Sequence, residues 1–311
     1  MPLVSTTPYF VPEGPEGLGI RMGGNPNSTT VTRYDMSTDT DVAAAQALPS
    51  NIGNGPAGFC DGINAYHAGG NNSGSASTIT QKHNISGNTT SSVASSLSAA
   101  RTFITGFSNT VTGVAAGGTS NYEYNHNTYT ALINKFAIGT ETWSVSGSTL
   151  GTARMDGSGY GNTTDGWSCG GIHSPNPISV KSSIRVRYNY VGDTTHAATG
   201  MILPIANTAA GSNSTLGLTM GGNTGSNGVT RVEKFTFIGE TNATGTNLLN
   251  SHRSAGAFAN PYSCLVAGST VGSSTRVTSY VYGTDTVTNK GDVLSTGGSR
   301  FAYSSTAHGG I

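Results

Sequence analysis

The acids and histidines are where proton chemistry would come from, and the chain holds 15 acids and 7 histidines. Five acids and one amide form a series: Asp39, Asn88, Glu141, Asp193, Glu240 and Asp285, each followed by Thr. Five residues before each stands an aromatic or a histidine: Tyr34, His83, Phe136, Tyr188, Phe235 and Tyr280. A catalytic acid is singular, whereas an acid that recurs at a fixed interval serves the repeat. Side-chain oxygens of Asp, Glu and Asn accept bonds from nearby backbone N–H groups, so the series is assigned to turns. Asp61, Asp156 and Asp165 remain as candidates for a pair of carboxylates, which glycoside hydrolysis would need about 5–10 Å apart. Asp156, Asp165 and His173 are close in sequence, but a hydrolytic triad also needs a matched serine in an orienting geometry.

No HExxH, GxSxG, P-loop or zinc spacing occurs. Cys60, Cys169 and Cys264 lie about one hundred residues apart without a CxxC, which predicts buried free thiols. The expectation is a protein without metal or cofactor, and not an enzyme.

The cations also recur. Arg33, Lys82, Lys135, Arg187 and Lys234 each precede the aromatic position, where the sixth copy has Ser279. They are expected to pair with acids of the next unit. A second set, Arg101, Arg154, Arg253 and Arg300, falls where a new unit begins, while Ile205 and Gly53 stand there in two others. Four guanidiniums around one mouth of a channel could hold an anion or an acidic sugar. The favoured reading is plainer: each caps backbone carbonyls between units.

The elements that carry these residues follow from the period, since the aromatic–acid pairs return every 45 to 53 residues. A period of that size marks repeated supersecondary units. Each unit holds an apolar stretch ending in Gly-Gly, at Gly23, Gly69, Gly117, Gly170 and Gly221, degenerating to Ala267-Gly268 in the sixth. Glycine there suits a strand ending in a tight bend. Next comes a strand with period-two alternation, as in Ile133–Ile138, then the Thr turn and a poorly patterned, solvated strand. Zero net charge argues against nucleic-acid binding, and no run of 18 apolar residues exists for a membrane helix. The first residues lack a basic region followed by an apolar one, so no signal peptide is expected and folding is placed in a reducing cytoplasm.

The layout resembles the kelch repeat, most fully over Ile133–Gly171 with Glu141-Thr142-Trp143, Ala153-Arg154 and Cys169-Gly170-Gly171. That resemblance implies an all-β, six-bladed kelch-like β-propeller. Residues 1–15 would be an extension or strap, and 16–311 a single propeller. Its blades are expected at about 53–100, 101–153, 154–204, 205–252, 253–299, and 300–311 with 16–52. The sixth closes the ring by pairing strands from the two ends of the chain.

The wording of units such as Val232–Thr244, and of Ser304–Gly309, also resembles repeats in structural proteins of marine tailed phages. This implies a virion component: a fibre, a neck or tail appendage, or a capsid decoration protein. Its partners would be other virion proteins and a host surface glycan. Tyr122, Tyr124, His126, Tyr129 and His173, on the long loops Thr119–Tyr129 and Ile172–Ile178, are the candidate contact residues. The same residues serve equally well as shields for strand edges. The alternative is a carbohydrate-binding or carbohydrate-active protein on the same scaffold.

Overall fold

The computed structural model describes residues 17–23, 28–121, 128–173, 180–225 and 227–295, with the backbone of 302–305. The described residues contain no α-helix. They form six four-stranded antiparallel sheets, along with two smaller pairings at loop edges. In the second sheet the hydrogen-bonded order is Ala57–Cys60, Asn64–Ala68, Thr80–Asn84 and Thr89–Val93. The third runs Thr105–Ser108, Thr112–Ala116, Leu132–Ala137 and Thr142–Thr149. The fourth runs Ser158–Gly161, Asp165–Cys169, Arg185–Asn189 and Thr194–Ala197. The fifth runs Ala209–Ser212, Leu216–Met220, Val232–Thr236 and Thr241–Thr244. The sixth runs Gly256–Ala259, Ser263–Ala267, Arg276–Val281 and Thr286–Asp292.

The first sheet differs in origin. Leu18–Met22, Val31–Asp35 and Thr40–Ala43 follow one another, and Ala302–Ser305 adds antiparallel to Leu18–Met22. The four-stranded sheets meet through their first strands. Thr105–Ser108 lies against Ala57–Cys60 and Ser158–Gly161, Ala209–Ser212 against Ser158–Gly161 and Gly256–Ala259, and Ala302–Ser305 against Gly256–Ala259 and Ala57–Cys60. The architecture is that of an all-β protein of the propeller type.

Burial explains which sequence pattern goes where. Every second strand is buried after its first residue, because both of its faces meet a neighbouring sheet. Third strands alternate and fourth strands are largely exposed, as their weak patterning predicts.

Neighbouring sheets interlock by size. An aromatic on a first strand fills the space left by glycine on the second strand of the next sheet. A Cβ on Gly166 would sit 2.1 Å from the Phe107 ring, one on Gly19 2.3 Å from Phe258, and one on Gly113 or Gly217 2.4 Å from Phe59 or Tyr160. Between the fifth and sixth sheets the sizes are exchanged: Gly211 faces Cys264, whose Sγ would be 2.6 Å from a Cβ there. All three cysteines are free and buried.

The Gly-Gly pairs join the units at their other end. Gly23, Gly69, Gly117, Gly170 and Gly221 have φ of +61 to +69°, and a Cβ on each would press on the carbonyl oxygen that opens the next unit at 2.5 to 2.8 Å. Gly70, Gly118, Gly171 and Gly222 then donate their N–H to that oxygen, on Arg101, Arg154, Ile205 and His252, at 2.7 to 2.9 Å. Only glycine satisfies both the positive φ and the close approach.

Candidate functional site

The acid series does different work from the one its sequence suggests. Asp39, Asn88, Glu141, Asp193, Glu240 and Asp285 all sit in the left-handed region, with φ between +49 and +58°. In three of the six turns the N–H groups are capped instead by the residue right after the aromatic: Asp35 accepts from Ser37 N, Asn84 from Gly87 N and Asn189 from Gly192 N. The acids reach sideways, including Glu141, Glu240 and Asp285, whose turns have Ala137, Thr236 and Val281 at the capping place. Lys82–Glu141, Lys135–Asp193, Arg187–Glu240 and Lys234–Asp285 each join one sheet to the next at 2.5 to 3.1 Å. Ser279 breaks the cation series, and Lys290 from the fourth strand of the sixth sheet replaces it, pairing with Asp39 of the first sheet at 2.8 Å.

Asp193 shows how tightly such a carboxylate is held. Burial alone would raise its pKa, but bonds from Lys135, Ser146, Tyr188 and the Gly147 N–H outweigh that and hold it well below the usual carboxylate range. Two further pairs are deeply buried: Arg21–Asp41 at 3.2 Å and Arg185–Glu233 at 2.9 Å, the latter with the guanidinium 3.9 Å above the Phe235 ring.

Arg101 and Arg154 are each 1% exposed and do not face an open channel. Arg101 donates to the carbonyls of Gly117 at 2.7 Å and Leu132 at 3.0 Å, and to Asn134 Oδ1. Arg154 donates to the Ser168 carbonyl at 3.1 Å. Both cap carbonyls, but within their own unit and not between units as expected. Arg253 does not belong to the series, because His252 holds the equivalent backbone place: it pairs with Val229 as Arg101 pairs with Ser77. His252 Nδ1 lies 3.1 Å from the Gly268 carbonyl, sixteen residues on, as Gly117 is from Arg101. Ile52 and Ile205 hold this place in two other units, so Gly53 is one residue out of register. Arg300 lies outside the described residues.

Tyr122, Tyr124 and His126 also lie outside the described residues. Tyr129 pairs with Thr119 and packs against Phe103, Met155, Ile172 and Ala206, while His173 pairs in register with Arg154. These residues gather at the end of the sheets where second strands pass to third strands.

At the same end the first strands open through residues with positive φ: Gly55, Phe103, Asp156, Asn207 and Ser254, at +52 to +66°. Backbone bonds link them in sequence, Asp156 N to Phe103 O, Asn207 N to Asp156 O and Ser254 N to Asn207 O, at 2.9 to 3.0 Å. They border a cavity of about 160 Å³ between the first strands, walled mostly by glycine, alanine and serine. Among the described residues Asp156 is the single acid on its wall. Asp61 and Asp165 stand at the other end of the sheets, where Asp61 caps the Ile63 and Asn64 N–H groups and Asp165 accepts from Asn189. Asp156 thus stands at the opposite end of the sheets from Asp61 and Asp165, which belong to the second and fourth sheets. The periodic spacing gave no sign of the positive-φ series, since its members differ in type.

No family model matches the chain, and no curated protein does. Among solved structures, 466 chains resemble it, so the architecture is widely shared and selects no activity. One is the structure of YjhT, with a TM-score of 0.69 and 14% identity over 89% of this chain and 99% of that one. At this identity the likeness speaks for the fold. No helix among the described residues is long and apolar enough to cross a membrane.

Proposed function

We propose that the chain is a six-bladed kelch-like propeller, closed by Ala302–Ser305 pairing with Leu18–Met22, and that it serves as a rigid, non-catalytic scaffold in a tailed-phage virion. The observation that carries the scaffold reading is the set of ties between successive sheets: size-matched aromatics and glycines, glycine–carbonyl joints and cation–acid pairs. Most described acids that could do proton chemistry are committed to these ties or to turns. The virion assignment adds the resemblance of the repeat wording to phage structural proteins. Binding is assigned to the loop end that carries Tyr129 and His173, where the partner is another virion protein or a host surface glycan.

Proteomic mass spectrometry and cryo-EM of purified particles from the source material test this reading. The expected result is a fixed copy number per particle with the loop end in contact with neighbouring virion proteins. Absence of the chain from particles overturns it. A second reading, a carbohydrate-binding or carbohydrate-active protein, draws on Asp156, Asn207 and Ser254 bordering one cavity, a polar set suited to sugar hydroxyls. Saturable binding on a glycan array that Asp156→Ala abolishes would favour it.

A further inference from the structure

Eleven non-glycine residues among those described sit in the left-handed region. Six belong to the repeat turns that carry the acids and Asn88, and one is Ser73. The other four, Phe103, Asp156, Asn207 and Ser254, join Gly55 in bordering the cavity between the first strands. Left-handed backbone is costly for a side chain as bulky as that of Phe103, and strain of this kind gathers at ligand sites.

The series holds one backbone place with five residue types. Gly55, Phe103, Asn207 and Ser254 fill it without a charge, so the fold does not require the carboxylate of Asp156. Asp156 is 9% exposed and is the single acid among the residues lining the cavity, which include no Lys, Arg or His. It has contacts within the chain, and a carboxylate has about four lone-pair sites to offer. The free edges of the first strands add to it. In the second to sixth sheets the turn from first to second strand opens on a bonded pair, Asp61 N to Asn64 O and its equivalents, at 2.8 to 3.2 Å. Bonded and unbonded pairs alternate along an antiparallel ladder. Gly58, Gly106, Gly159, Ala210 and Ala257 therefore turn their N–H and C=O groups away from the second strand and toward the cavity that they line. Aromatic faces for stacking a sugar ring are not open here. Phe103 is buried, and Phe107 and Tyr160 fill the spaces at Gly166 and Gly217. Recognition falls to charge and hydrogen bonds. At about 10–15 Å³ for each water-sized group, the 160 Å³ cavity takes about a dozen non-hydrogen atoms.

We propose that this cavity binds a protonated amine carried on a small hydroxylated body, the chemistry of a hexosamine. The ammonium pairs with the Asp156 carboxylate, and the hydroxyls take Asn207, Ser254 and the free strand edges. The inference rests on the second reading above, the cavity as a sugar site, and adds the charge that the sugar carries. It does not depend on the virion assignment.

The test is isothermal titration calorimetry of the full chain with glucosamine hydrochloride, glucose and, as control, sodium chloride, at about pH 6, where the amine is charged. The expected result is saturable binding of glucosamine, about tenfold or more tighter than glucose, and no saturable heat from sodium chloride. Asp156→Asn removes the charge at a backbone place that Asn207 shows to accept asparagine, and it should bring glucosamine down to the level of glucose. Should that variant fold poorly, raising the pH of the natural chain to about 10 discharges the amine and should do the same. Equal affinity for the two sugars in the natural chain overturns the inference and leaves the sugar reading standing. A preference for glucosamine that survives Asp156→Asn also overturns it. Failure of both sugars to bind overturns it together with the sugar reading of the cavity.

Discussion

At the scale of single residues, the side chains that look chemical are mostly structural, and the smallest residues carry specificity. Gly166 leaves no room for a methyl group, since its Cβ would fall within the Phe107 ring. Gly166→Ala is expected to destabilise the fold by about 1–3 kcal/mol, the range for overpacking a filled core, read as a lower urea midpoint. Exposed Gly139, around which a Cβ meets nothing, should tolerate alanine and serves as the control. The glycine pairs were legible in the sequence because they recur in register and their chemistry is narrow. The series of Arg101 and Arg154 was legible only in part. His252 fills the same place through the same carbonyl, and a guanidinium and an imidazole share no letter in a sequence. Arg253, one residue on, drew the eye because it matched by type. Ile52 and Ile205 hold the place without any side-chain hydrogen bond, so the backbone pairing defines the position and residue type is an imperfect guide to it.

At the scale of strands and sheets, a missing partner can be supplied from another element. The regular cation of the sixth sheet is absent at Ser279, and Lys290, near a bulge in the next strand, reaches Asp39 instead. Lys290→Ala is expected to lower stability by about 0.5–1 kcal/mol, because the pair is roughly a quarter exposed and solvent weakens it. Adding Ser279→Lys to that variant should recover part of the loss, as the regular cation returns; thermal melts of the single and double variants decide it. No recovery would mean that the third strand of this sheet is out of reach of Asp39. The strand pattern, the order of elements and the pairing of cations with acids of the next unit all follow from period-two alternation and a constant interval. What the sequence hid was the division of labour inside three of the turns, where Asp35, Asn84 and Asn189 cap the N–H groups while Asp39 and Asp193 pair across sheets. Two residues four apart were both suited to capping, and only the backbone shows which one does it.

At the scale of the whole molecule, stability should respond to acid in two windows. Burial depresses the imidazole of His67 to about 3 and, with Arg33 adding to it, that of His83 to about 4; burial lowers His252 as well. In the unfolded chain these groups take up a proton near pH 6.5, while in the folded protein they stay neutral. The stability they provide is thus complete above pH 6.5 and declines as pH falls toward 4, by about 1.4 kcal/mol per pH unit for each ring. Depressed carboxylates such as Asp193 act later: their contribution holds above the ordinary carboxylate pKa and is lost only below it. Urea unfolding between pH 7 and 4.5 should show the first window, and His67→Val, which copies Val266 at the matching position, should flatten it. An unchanged slope in that variant would show that His67 is not among the groups responsible.

The fit between successive sheets also bears on inheritance. Tandem repeats invite unequal recombination, which removes or adds a unit. Deleting the third unit would bring Phe59 against Gly166 and Lys82 toward Asp193, a join that keeps both size and charge matched. Deleting the fifth would set Tyr160 against Cys264, where no glycine leaves space for the ring. The exchange of sizes at Gly211 and Cys264 makes the order of units matter, so a gene that drifts in copy number cannot lose them indiscriminately.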